Sequence, residues 1–199
     1  MSLFRKGRWA GLLTALFLSA AAAQSLQERL TVCAGCHGAD GNSAMPGTPS
    51  LAGQPRLFLE NYLVLTREGL RGNEIMQKLL HGVPDREIIA LAVHYSKLPS
   101  RPEQGPADKA LFERGRQIAA KSRCGNCHRP DYGGQQQMPR LAGQREDFLN
   151  EVMLAYRQNR RAGGDTLMAA ALYGIAEADL RAMAHYLAKL RAGAPPRGR

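Results

Sequence analysis

Between Arg56 and Arg67 the apolar residues Phe58, Tyr62 and Leu65 fall at i, i+4 and i+7, and Leu59 and Leu63 widen the stripe. That is the signature of a helix with one buried face. Phe148, Leu149, Val152, Met153 and Tyr156 repeat it further along. A second pair of helices is marked by Ile88, Leu91, Ala92 and Tyr95 and by Leu180, Met183, Ala184 and Leu187. Pro84 suits the opening turn of the first of these, where a missing N–H costs nothing. Ala107 to Ala120 predicts another helix, with Leu111, Phe112, Gly115 and Ile118 available to pack, while only Gln24 to Val32 stands in the corresponding place earlier, so the first opening helix is expected to be short. No alternating strand pattern of useful length occurs, and the fold class is expected to be all-α.

The helices come in two sets because the chain is duplicated. Leu51-Ala52-Gly53-Gln54 recurs as Leu141-Ala142-Gly143-Gln144 at an offset of 90, and His94-Tyr95 recurs as His185-Tyr186 at an offset of 91. Between the halves, residues 99–106 hold Pro99, Pro102 and Pro106 with Gly105 and no apolar periodicity, which reads as a linker. At the start, Arg5, Lys6 and Arg8 precede an apolar stretch from Trp9 to Ala23 that ends in the small residues Ala21 and Ala23. This is the form of a secretory signal cleaved near Gln24. The stretch is shorter than the roughly 20 residues a spanning helix needs, and an uncleaved anchor is the lesser alternative. The expected organisation is a leader at 1–23, one domain at 24–98, the linker at 99–106 and a second domain at 107–199.

The domains are then 75 and 93 residues long, small enough for a protein core alone to be marginal. The formal charge of +10 falls to +7 once Arg5, Lys6 and Arg8 leave, with 24 basic residues against 17 acidic ones. An exported chain of that balance gives a soluble basic surface, and nucleic acid is not expected as a partner.

All four cysteines lie in two pentapeptides, Cys33-Ala34-Gly35-Cys36-His37 and Cys124-Gly125-Asn126-Cys127-His128, 91 residues apart. A Cys-x-x-Cys-His run is the attachment signature of c-type haem, with both thiols adding to haem vinyl groups and the histidine reaching the iron. Two copies imply two covalently bound haem c groups. Two disulfides would suit export, but they have no use for the histidines. A zinc ribbon needs its pairs some 15–20 residues apart, against a step of 88 from Cys36 to Cys124. No βαβ context supports a thioredoxin-like pair.

His37 and His128 are thus the expected proximal ligands, and the sixth position decides the chemistry: a protein ligand there suits electron transfer, an open site binds small molecules. Met76 lies 39 residues after His37 and Met168 lies 40 after His128, each seven before the apolar residue, Val83 or Ile175, that leads into the final helix. Met153 and Met183 fall on buried helix faces and read as core, while Met45 and Met138 adjoin prolines. His94 and His185 compete as ligands through their matched positions but are expected to point elsewhere, since each neighbours a tyrosine of the buried stripe. His81 has no histidine counterpart and is expected either at the surface or in support of a haem ligand. A carbonyl beside Pro49 or Pro139 is placed to accept the free ring N–H of the haem histidine. Arg67, Arg71, Arg157, Arg160 and Arg161 either pair with haem propionates or form a solvated face.

Two haem motifs, Pro-x-Leu-Ala-Gly-Gln after each, a methionine before each final helix and a leader together resemble the di-haem cytochrome c4 family, over nearly all of the chain past the leader. The resemblance implies two tandem class I cytochrome c domains packed face to face, with axial pairs His37–Met76 and His128–Met168. It also implies a monomeric electron carrier of the bacterial periplasm, passing single electrons to a terminal oxidase or another redox protein, with peripheral membrane association left open. The chain departs from the family in its short opening helix and in His94 and His185. The cytochrome subunit of a larger dehydrogenase, such as a flavoprotein that oxidises sulfide, is the second reading. A di-haem oxidase or peroxidase is the enzyme alternative, and no nucleophile, catalytic carboxylate pair or phosphate loop favours it.

Overall fold

A computed structural model describes residues 26–161 and 163–193. The expected leader, and its cleavage point near Gln24, lie outside them. The described residues form helices and loops with no strand, only an isolated bridge between Gln135 and Met138, so the all-α expectation holds.

The first half contains α1 (Leu26–His37), α2 (Arg56–Arg67), α3 (Glu74–Leu80) and α4 (Asp85–Lys97). The second contains α5 (Lys109–Lys121), α6 (Gly125–His128), α7 (Glu146–Arg157), α8 (Thr166–Leu172) and α9 (Glu177–Ala188). Leu59 and Leu63 of α2 pack on Ile88, Leu91, Ala92 and Tyr95 of α4, with Leu80 and Val83 closing the cluster. Leu149 and Met153 of α7 pack on Leu180, Met183, Ala184 and Leu187 of α9 in the same way. The stripes read for α4 and α9 are thus buried whole, whereas α2 turns Leu59 and Leu63 rather than Tyr62 and Leu65 into the core and α7 turns Leu149 and Met153 rather than Phe148 and Val152. Pro84 caps α4 from just outside it, with φ −70° and ψ 154°. α5 meets α9 most closely at Gly115, where a Cβ would press into the Ala182 carbonyl oxygen.

Arginines fasten equivalent corners. The Arg67 guanidinium donates to the Val83 carbonyl and to Asp85, both at 2.7 Å. Arg157 donates to the Ile175 carbonyl at 3.0 Å and to Glu177 at 2.6 Å. These two arginines thus join the end of one helix to the start of the last, which is a structural use rather than the propionate pairing the sequence left open for them.

Residues 99–106 lack helix, yet they are strapped down. The Glu103 N–H donates to the Ala188 carbonyl at 2.9 Å, the Arg101 N–H to Asn42 Oδ1 at 2.9 Å, and Lys189 Nζ to the Gln104 carbonyl at 3.2 Å. His185 belongs to this fastening. It is 6% exposed, accepts the Asp108 N–H at Nε2 (3.0 Å) and thereby keeps its proton on Nδ1, which donates to Glu146 at 2.8 Å. A ring engaged at both nitrogens has neither left for iron, in line with the weighing of His185 above. His81 is exposed at the end of α3, the first of the two places expected for it.

Candidate haem sites

In the first half the attachment motif continues a helix. α1 runs unbroken through Cys33, Cys36 and His37, so the thiols at i and i+3 and the imidazole at i+4 are neighbours on one side of it. In the second half α5 ends at Lys121, Arg123 takes a left-handed φ of 56°, and α6 is a single turn that ends on His128. Two local routes reach the same arrangement. None of the four cysteines is paired in a disulfide; Cys33 and Cys124 are half-buried and Cys36 and Cys127 exposed. Burial pushes the Cys33 and Cys124 thiols up, so they stand protonated.

His37 and His128 are 5% and 6% exposed. The Nδ1–H of His37 donates to the Pro49 carbonyl at 2.8 Å and that of His128 to the Pro139 carbonyl at 2.9 Å, the bonds expected from the matched prolines. Burial lowers both imidazole pKa values, against the raising effect of the carbonyl bonds. Each ring is thereby neutral, with Nδ1 occupied and Nε2 left as the donor atom for a metal.

Met76 and Met168 occupy the same position in two seven-residue helices. Each is the third residue of its helix, α3 or α8. Asn73 caps α3 by accepting the Met76 N–H at 2.9 Å, and Asp165 caps α8 by accepting the Leu167 N–H at 2.7 Å. Met76 packs against the core cluster that Cys33 also borders, and Met168 against the one that Cys124 borders. Their neighbours Ile75 and Leu167 are exposed. Met153 and Met183 are buried core, as their helical register required.

The protein also presents unmet demand for anions. Arg140 is 1% exposed and donates to the carbonyls of Ala52 and Ala142, yet one terminal nitrogen has no partner. Burial pushes its pKa down to about 10. Arg71 and Arg161, 90 positions apart in sequence, each leave Nε buried and unpartnered. Arg71 donates to the Gly163 carbonyl and lies 5.4 Å from the Tyr62 ring centroid, while Arg161 donates to the Tyr62 hydroxyl at 3.4 Å. One buried and two half-buried arginines, each with a buried idle donor at the boundary between the halves, suit the carboxylates of haem propionates. Thiols, neutral imidazoles and idle arginines all fit two haems. Sequence reasoning had named Arg71 and Arg161 but passed over Arg140. Its signal was the mismatch Ser50 against Arg140 inside an otherwise repeated Pro-x-Leu-Ala-Gly-Gln.

Such sites define a c-type cytochrome with two haem-binding halves. The Cytochrome c family model matches residues 112–191. Cytochrome c4 of Thiocapsa roseopersicina is 30% identical over 167 residues, covering 78% of this chain and 85% of that protein. The thiosulfate dehydrogenase electron acceptor of Thiomonas intermedia is 31% identical, covering 78% and 77%. The crystal structure of reduced cytochrome c4 from Pseudomonas stutzeri superposes with a TM-score of 0.76 at 27% identity, over 85% of this chain and 98% of that one. The chain belongs to the cytochrome c4 family. It is a di-haem electron carrier with covalently bound haem c, and not an enzyme.

Proposed function

We propose that the chain carries single electrons in the periplasm, between a respiratory donor and a terminal oxidase or comparable acceptor. Cys33 and Cys36 hold one haem c and Cys124 and Cys127 the other, and the axial pairs are His37 with Met76 and His128 with Met168. The domains are 24–98 and 107–199, joined by 99–106, with the leader 1–23 removed on export. The observation that carries this reading is the duplicated placement of a half-buried methionine, third in a short capped helix, against the same core as the first cysteine of each motif.

Bound haem supplies a reversible one-electron ferric/ferrous couple. The protein's part is to hold that couple without rearrangement. Pro49 and Pro139 fix the histidine tautomer and make each ring a stronger donor, which favours ferric iron. A thioether is a soft ligand that favours ferrous iron and raises the potential. Leu59, Leu63, Leu149 and Met153, all buried, keep water from the ligand side.

A redox titration followed by absorbance and magnetic circular dichroism tests this. Both ferric haems are expected to show the near-infrared methionine-to-iron band, and neither ferrous haem to bind carbon monoxide in the folded protein. Met76→Ala and Met168→Ala are each expected to remove the band from one haem; an unchanged spectrum in either variant refutes that ligand assignment.

The relative from Thiomonas intermedia, named as an electron acceptor of thiosulfate dehydrogenase, favours a second reading in which the donor is a dedicated dehydrogenase. Co-purification of the native protein with such an enzyme supports it, and isolation as a lone monomer supports the first.

A further inference from the structure

The two Leu-Ala-Gly-Gln turns exchange their glutamine side chains. Gln144 Oε1 accepts the Ser50 N–H at 2.7 Å, and Gln144 Nε2 donates to the Ser50 carbonyl at 2.9 Å. Gln54 Oε1 accepts the Arg140 N–H at 2.9 Å, and Gln54 Nε2 donates to the Arg140 carbonyl at 3.1 Å. Both glutamines are 3% exposed. Ser50 and Arg140 are the residues after Pro49 and Pro139, whose carbonyls take the ring protons of His37 and His128. The Pro49 carbonyl and the Ser50 N–H belong to one peptide unit, and so do the Pro139 carbonyl and the Arg140 N–H.

We propose that Gln144 and Gln54 are positioning residues that act across the boundary between the halves. Gln144 tunes the haem held by His37, and Gln54 tunes the haem held by His128. An acceptor on a peptide N–H polarises the whole amide and makes its carbonyl a better acceptor, an effect that strengthens in a dry, low-dielectric setting. The better the Pro49 carbonyl accepts, the more basic the His37 ring becomes, and the more it stabilises ferric over ferrous iron. Each glutamine therefore holds down the potential of the opposite haem. The halves are coupled through two peptide units, without any ligand being shared. Gln144 Oε1 also accepts the Arg145 N–H at 2.9 Å, which anchors that side chain while it reaches over.

This inference rests on the histidine ligation proposed above, and the test separates the two. The holoprotein is titrated electrochemically under NMR observation, with 15N-histidine labelling to distinguish the rings of His37 and His128. His/Met signatures from both haems of the unaltered protein establish the ligand reading on its own, and their absence refutes that reading rather than the relay. Gln144→Met is then expected to shift the His37 haem toward the reduced form by about threefold, roughly 30 mV at 59 mV per tenfold for one electron. The His37 Nδ1–H resonance moves upfield and the other haem is unchanged. Gln54→Met is expected to do the same to the His128 haem, so the crossing is testable even where one variant folds poorly. Gln144→Glu keeps an oxygen on the Ser50 N–H in either protonation state and is expected to leave the His37 haem at or below its unaltered potential. A shift confined to the haem of the glutamine's own half, an equal shift of both haems, no shift, or a raised potential in Gln144→Glu overturns the proposal.

Discussion

At the scale of the residue, Gly115 sets how close α5 and α9 can lie. The glycine is buried, and an added Cβ would meet the Ala182 carbonyl carbon and oxygen and the Tyr186 Cβ, which are backbone or rigid atoms that have no room to yield. Phe112, one helical turn earlier, stacks edge-on against Tyr186 with ring centroids 5.0 Å apart, so separating the helices would loosen that contact as well. Gly115→Ala is expected to lower stability by about 1–3 kcal/mol, the range for overfilling a packed core, read as a lower urea midpoint of the holoprotein. The variant keeps both haem motifs and should retain its full haem content, which separates a packing defect from failed attachment. The glycine was visible in the sequence as a packing position of the predicted helix. That it admits no side chain was not, because the partner atom is a carbonyl 67 residues away, and periodicity says nothing about which backbone crosses which.

At the scale of the element, the long amphipathic helices were legible because a stripe at 3.6-residue spacing needs three turns to declare itself. α2 spans the limits its apolar pattern gave, and the stripes of α4 and α9 are buried residue by residue. α3 and α8 were not legible as helices, since seven residues show barely two turns, and only their methionines stood out, through the internal repeat. α1 was half legible: a short helix was expected over Gln24 to Val32, and its run through the haem motif to His37 has no counterpart in the second half, where α5 and α6 are separate. The short helices depend on their caps. Asn73→Ala removes the acceptor of the Met76 N–H and is expected to cost α3 about 1 kcal/mol. With Met76 as the ligand, the near-infrared band of one ferric haem then fades at a lower temperature while that of the other holds. Asp165→Ala is expected to reverse which haem fails first. Equal fading of both bands in either variant would show that the caps act on the molecule as a whole and not on one ligand.

At the scale of the whole molecule, the boundary between the halves combines symmetric and asymmetric contacts. Gln54 with Arg140 and Gln144 with Ser50 repeat about an approximate two-fold, and neither was legible in the sequence, because a repeated motif shows that two turns are alike without showing that they meet. Asp147 breaks the symmetry. It accepts the Gly47 N–H at 2.9 Å from the other half and is held by the Arg145 guanidinium at 2.8 and 3.0 Å, whereas the position 90 residues earlier is Leu57, which is exposed. Burial raises the Asp147 pKa, but the Arg145 pairing and the N–H groups of Gly47 and Phe148 outweigh it and hold the carboxyl below its ordinary value. A carboxylate whose pKa is lower folded than unfolded contributes its stability above the unfolded value, about 3.9, and loses it as the pH falls through the lower folded value. Asp147 therefore fastens the halves at neutral pH and releases them in acid. Asp147→Asn keeps an oxygen for the Gly47 N–H but removes the charge, so its urea midpoint should lie below that of the unaltered protein at pH 7. The two midpoints should converge as the pH is lowered through and below the ordinary carboxylate range, since protonation then takes from Asp147 what the substitution has already removed. Parallel midpoints across that range would place the acid-sensitive contact elsewhere.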